Sequence, residues 1–194
     1  MPGADPRAMS HSWLFTGPPG SGRSLAAIDF AAALMCTDPE EPGCGRCEAC
    51  RAVLETKQHT DLVLVDPQEV IIPVDTVREV IGRAASLPTV APWRVVIFNN
   101  ADRLNNNGAN ALLKTVEEPP ARTVIIMCAP SDAPEDFSQT LRSRCRHLYI
   151  PSPSVESITA QLVSEGASDH DAHLAALTSL RHVGRARRLV LSLI

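Results

Sequence analysis

Aromatic residues are scarce in this chain: 4% of its 194 residues, as two Trp, one Tyr and four Phe. Its core must therefore be built from Ala, Val, Leu and Ile. No apolar run approaches the ~20 residues that a bilayer span needs. The opening residues, MPGADPRAMSHSW, lack the apolar stretch of a secretory signal, so the expected compartment is the cytoplasm, with no membrane partner. Nor is there an excess of positive charge. Eighteen Lys and Arg stand against 22 Asp and Glu, a net charge of −4, which excludes nucleic-acid binding by overall charge and leaves only local basic patches. Internal repeats and low-complexity segments are absent. What remains is 44% hydrophobic and 21% charged, enough for one good domain and a small second one.

Read along its length, the chain alternates apolar strands with helices. Strands are expected at residues 12–15, 61–65, 95–98, 123–128 and 148–150. Helices are expected at 24–35, with Leu25, Ile28, Ala32 and Met35 on one face, at 74–85 with Asp75 as N-cap, and at 110–118, stopped by Pro119 and Pro120. A further helical continuation through residue 54 follows a cysteine-rich segment. Continuous rather than alternating apolar strands point to a parallel sheet covered on both faces. After Pro151-Ser152-Pro153 only helical patterns remain, which places a boundary there.

Gly17-Pro18-Pro19-Gly20-Ser21-Gly22-Arg23-Ser24 matches the phosphate-binding loop pattern G-x-x-x-x-G-K-[ST] except that Arg23 stands in the lysine position. Glycines let backbone N–H groups approach phosphates, the following helix adds partial positive charge, and Ser24 would offer its hydroxyl to Mg²⁺. A planar guanidinium does not replace an ammonium between phosphates. The second half of an ATPase site is an apolar strand ending in two acids. Here Val95-Val96-Ile97-Phe98 ends in Asn99-Asn100, whose amides carry no charge and cannot act as a base. Asp102 lies beyond and reads as a cap for the next segment. Three departures point to a nucleotide fold without a competent motor. The contrary expectation, an ATPase that tolerates Arg23, would need an acid such as Asp102 to hold the metal.

Disulfides are not expected in a reducing compartment, so the six cysteines need another account. Cys36, Cys44, Cys47 and Cys50 fall within fifteen residues, with Gly43 and Gly45 to allow tight turns. Four soft ligands at this spacing suit a tetrahedral structural zinc, and a closed four-thiolate shell leaves no open position for catalysis. A zinc-dependent nucleic-acid module is the competing use. Cys128 and Cys145 stand apart and read as ordinary buried thiols.

The order of glycine loop, four-cysteine insertion, Asn110-Ala-Leu-Leu-Lys-Thr-Val-Glu-Glu-Pro-Pro120 and Leu141-Arg-Ser-Arg-Cys145 resembles the bacterial DNA polymerase III clamp-loader subunits, which are AAA+ proteins. The resemblance spans roughly residues 12–190. It implies an α/β, RecA-like AAA+ P-loop domain with a parallel sheet over residues 1–150. The zinc module falls at 36–50 and a small helical lid at 151–194, with the family's C-terminal collar domain outside this chain. Two kinds of member carry the zinc insertion: the gamma/tau ATPase motor and a stator whose own site is degenerate. Arg23, Asn99, Asn100 and the Cys128-Ala-Pro-Ser131 run, in place of a Thr-rich sensor, resemble the stator. No complete ATPase or polymerase site is then expected, with gamma/tau-like motor activity as the alternative. The resemblance makes Arg144 an arginine finger reaching ATP on a neighbouring motor subunit. It makes Gly17, Gly20, Gly22, Arg23, Ser24 and Arg187, in Gly184-Arg-Ala-Arg-Arg188, the remnants of a nucleotide site for ATP and Mg²⁺. Arg181, Arg185 and Arg188 beside it could instead face DNA phosphates or solvent. The implied partners are the gamma/tau and delta subunits and, through the assembled complex, the sliding clamp and primed DNA.

Overall fold

The computed structural model describes residues 10–67 and 69–191. The leading segment 1–9, part of the stretch read above for a secretory signal, lies outside them, as do 192–194 at the end of the expected lid. Five strands, β1 (Ser12–Thr16), β2 (Leu62–Val65), β3 (Arg94–Phe98), β4 (Thr123–Ala129) and β5 (Arg146–Tyr149), form one sheet in the order β2-β3-β4-β1-β5. The pairs β1–β4, β3–β4 and β2–β3 are parallel, with Trp13 opposite Ile126 and Val96 opposite Ile125.

The unbroken apolar runs are explained by burial on both sides. Along β4, Ile125, Met127 and Ala129 enter one core, with Val77 and Val80 of α3 (Val74–Ala84) and Leu112 and Val116 of α4 (Asn106–Glu117). The alternate residues Val124, Ile126 and Cys128 enter another, with Ala27, Ile28, Ala31 and Met35 of α1 (Arg23–Met35). Adjacent side chains of a strand point to opposite faces, so a strand covered twice has no polar face to show. Cys128 is fully buried as expected. Leu25 is not on the buried face and is 51% exposed; Ala27 and Ala31 take its place.

Several local expectations are corrected. The segment after the cysteines is a short α2 (Glu48–Arg51) that widens into a π-helical turn over Ala52–Thr56, closed by left-handed Lys57. Asp75 does not cap α3; Pro73 is the N-cap residue, and Asp75 pairs with Arg78 one turn on. The fourth helix begins four residues earlier than its apolar pattern, because the Asn105 side chain accepts from Gly108 N at 2.8 Å and starts it there. Asp102 is not the cap of the next segment, where Asn105 holds that place, and sits within the 3-10 turn Ala101–Arg103. A short α5 (Gln139–Arg142), too brief for periodicity to reveal, precedes β5.

Asp61, at the mouth of β2, is fully buried. Its carboxylate accepts backbone N–H groups from Thr89, Val90 and Ala91 at 2.7–2.9 Å and Nη2 of Arg94 at 2.9 Å. Arg94 Nη1 in turn donates to the carbonyls of Arg83 and Ser86. This pair ties the end of α3 and the following loop to the sheet.

The chain divides into two compact units, Met1–Thr16 with Ser24–Leu148, and Gly17–Arg23 with Tyr149–Ile194. The second contains α6 (Val155–Ser164), α7 (Asp169–Thr178) and α8 (Val183–Leu191) around Ile158, Leu162, Ala172, Ala176 and Ala186. Ser154 and Ser168 cap α6 and α7 through their hydroxyls. Small alanines let these short helices approach closely. No helix among the described residues is long and apolar enough to cross a membrane.

Candidate functional site

The glycine loop lies between β1 and α1, where the motif requires it. Gly20 and Gly22 take φ of 88° and 90°, the left-handed region that favours glycine. Arg23 does not extend outward: its Nη1 donates to the carbonyl of Gly17 at 2.8 Å, so the guanidinium folds back across its own loop. Gly20 is also covered. A Cβ there would fall 2.4 Å from Cγ and 2.8 Å from Cα of His182, the residue leading into α8. Ser24 is the second residue of α1, after Arg23.

At the end of β3, Asn99 is almost fully buried. Its backbone N–H donates to Val65 O at 2.8 Å, and its side-chain oxygen has no partner among the described residues. Asn100 has φ 52° and ψ 52°, a left-handed conformation that asparagine tolerates better than most residues. The two amides thus serve a strand terminus and a turn. Arg187 is engaged within the lid, where Nε donates to Glu165 Oε2 at 2.8 Å and Nη2 to Oε1. That contact holds the Glu165 carboxyl below the usual carboxylate range.

Arg144 and the arginines two residues to either side have separate partners. Arg142 Nε donates to Asp132 at 2.8 Å, and Arg146 lies over the Trp13 ring, 5.1 Å from its centroid. Arg144 Nε donates to Glu117 Oε1 at 2.5 Å, and its Nη1 to Thr140 O at 2.9 Å and Ser143 Oγ at 3.2 Å. Ser10, His11, Glu117, Arg144 and Arg146 line one shallow cleft. Glu117 was not singled out by sequence reading, although it stands in the Glu-Glu-Pro-Pro run. The pairing of that run with Ser-Arg-Cys 27 residues later was the available signal. Cys145 is only partly buried, yet its apolar surroundings push its thiol up to about 12.

The four clustered cysteines converge, with all sulfurs within 4.8 Å of one another; they could hold a metal ion. Cys36 Sγ lies 3.7 Å from that of Cys44 and 3.9 Å from that of Cys47. A tetrahedron of metal–sulfur bonds of about 2.3 Å has edges of about 3.8 Å. Backbone N–H groups point at these sulfurs, Cys47 N at Cys44 and Cys50 N at Cys47, each 3.4 Å. Such donors, from Thr37 and Cys50, bring the Cys47 thiol down to about 6, whereas burial pushes Cys50 up to about 12.

A parallel sheet with a phosphate-loop motif after β1, followed by a helical lid segment, defines a P-loop protein of the RecA-like AAA+ class, here with altered nucleotide residues and a four-cysteine insertion. The family model described as DNA polymerase III, delta subunit, matches residues 4–154, and the chain belongs to that family. It is 35% identical to the DNA polymerase III subunit delta' of Pseudomonas aeruginosa over 165 residues, 81% of this chain and 49% of that protein. The Escherichia coli delta' subunit is 34% identical, covering 86% of this chain and 50% of its own length. The gamma/tau subunit of Mycobacterium tuberculosis is 33% identical over 83% of this chain and 28% of that protein. The chain therefore spans about half the length of the delta' relatives it matches. Among solved structures, a DNA polymerase III gamma subunit-related protein of Thermotoga maritima aligns with a TM-score of 0.63 at 20% identity, over 93% of this chain and 54% of that one. The RuvB Holliday junction branch migration motor of the same organism aligns at 0.58 and 17%, over 95% and 54%. These last two likenesses are of fold.

Proposed function

We propose that this chain is a clamp-loader subunit of DNA polymerase III that acts as a stator, presenting Arg144 to ATP bound on a neighbouring gamma/tau-type motor subunit. The supporting observation is the contrast between its two arginines. Arg23 is turned onto Gly17 within its own loop, while Arg144 is held at an exposed edge by Glu117 and the Thr140 carbonyl. A fixed cation aimed at a developing phosphoryl charge is what trans stabilisation requires, and such fingers are worth ~10³-fold or more in turnover. The chain's own nucleotide residues do not fit a magnesium-bound triphosphate. Arg23 is turned inward, Gly20 is covered by His182, and Asn99 and Asn100 supply no charge where a metal would need it.

Cys36, Cys44, Cys47 and Cys50 would hold zinc, which supplies folding energy on the order of 10 kcal/mol and no catalysis. In this reading the partners are gamma/tau and delta subunits and, through the complex, the sliding clamp and primed DNA, in the cytoplasm. The experiment is Arg144→Ala in a complex reconstituted with the motor subunits. Assembly and folding should persist while DNA-stimulated ATPase falls sharply; unchanged turnover would remove the finger. The motor reading is favoured instead if calorimetric titration of the chain alone shows tight, Mg²⁺-dependent ATP binding with phosphate release.

A further inference from the structure

Resting on the finger role just proposed, the hydrogen bonds of Arg144 say which part of it acts on a partner and what aims it. A guanidinium has five N–H donors in one plane. Three of them are used inside the chain: Nε–H on Glu117 Oε1 at 2.5 Å, and the two of Nη1 on Thr140 O at 2.9 Å and Ser143 Oγ at 3.2 Å. The two donors of Nη2 have no hydrogen-bond partner among the described residues. Two of the three nitrogens of the fork are thus anchored, and the third is left without a partner on a half-exposed side chain. We propose that Glu117 is the positioning residue of Arg144, and that only the Nη2 edge is offered to an anionic group, the terminal phosphate of the neighbour's nucleotide.

The anchors come from separate places in the chain. Glu117 is the last residue of α4, stopped there by Pro119 and Pro120, and Thr140 belongs to α5. A bond on one edge alone would leave the fork free to pivot about it. Anchors on both Nε and Nη1 fix the plane as well as the position. Glu117 also neutralises the charge of Arg144 before the anion arrives, and no second carboxylate among the described residues lines the cleft that holds Arg146 and His11 beside it. The pair is half-exposed, so its contribution to folding is small; its use is orientation. This accounts for two motifs far apart in sequence by a single ion pair.

The test is a double-mutant cycle in the reconstituted complex, with Arg144→Ala, Glu117→Ala and the double variant, reading kcat and KM of DNA-stimulated ATPase. Glu117→Ala should lower kcat about 10- to 100-fold with KM little changed, as expected for a misplaced group that acts in the transition state. Adding Glu117→Ala to Arg144→Ala should cost nothing further. Glu117→Gln keeps an acceptor for Nε and should restore most of the lost turnover. Full activity of Glu117→Ala, or losses that multiply in the double variant, would overturn the positioning role. Should Glu117→Ala lose its thermal transition, Glu117→Met, which keeps the length of the side chain but offers Nε no carboxylate, carries the same test: unchanged kcat there overturns it. A null effect of Arg144→Ala itself would instead sink the finger reading, so the two failures are distinguishable.

Discussion

Replacing Asp61 with asparagine probes the buried charge pair that holds the α3–β3 connection to the sheet. Burial alone would raise the carboxyl, but the N–H groups of Ala91, Val90 and Thr89 and the guanidinium of Arg94 outweigh it and bring Asp61 from 3.8 to about 2. At 1.36 kcal/mol for each pH unit, this difference is worth about 2 kcal/mol of stability at neutral pH. The folded value is the depressed one, so that contribution is complete above about pH 4 and is lost as the pH falls towards 2. An asparagine amide in place of the Asp61 carboxylate would present N–H groups to backbone donors and leave Arg94 without its countercharge. Removing one partner of a buried pair typically costs about 3–5 kcal/mol. Urea unfolding at neutral pH should show a loss in that range, and the gap from the wild type should narrow near pH 2. A second substitution, Arg94→Met, should recover part of the loss by removing the orphaned cation. A cost below about 1 kcal/mol, or a gap that ignores pH, would refute the account.

The cysteine cluster predicts one equivalent of zinc in the purified chain, and chelation should lower the thermal midpoint by about 20 °C or more, at roughly 2–4 °C per kcal/mol for a chain of this size, and loosen the segment from Cys36 to the π-helical turn. Metal analysis with and without Cys44→Ser checks it, and a metal-free chain of unchanged stability would disprove it. Gly20→Ala combines a left-handed φ with overlap on His182. It should destabilise the lid unit by about 1–2 kcal/mol from the backbone alone, with more from the clash, seen as faster proteolysis within residues 149–191. Arg144→Ala, in contrast, should leave the unfolding free energy of the chain within about 0.5 kcal/mol of wild type, because its ion pair is half-exposed.

Much of the architecture was legible because it is written in composition. Three uninterrupted apolar strands with helices between them mean a doubly covered parallel sheet, and four cysteines in fifteen residues converge because so short a loop keeps them within reach of one another. The loop motif and the paired asparagines were readable for the same reason: local spacing sets local chemistry. Element starts were less legible. α4 begins at its Asn105 cap rather than at its first apolar residue, and the turn after Arg51 becomes π-helical, a choice no periodicity encodes.

What tertiary structure alone decided is which charged groups face one another. Nothing in local spacing pairs Asp61 with Arg94, 33 residues on, and the two motifs that carry Glu117 and Arg144, 27 residues apart, do not say which of their charges meet. Both pairs exist because strand order and helix ends bring distant carboxylates and guanidiniums together. The first is sealed inside, where a lone charge could not remain, and the second is left at the surface, where one edge of the cation stays available. Sequence named the ions; the fold chose which are sealed inside and which stay at the surface.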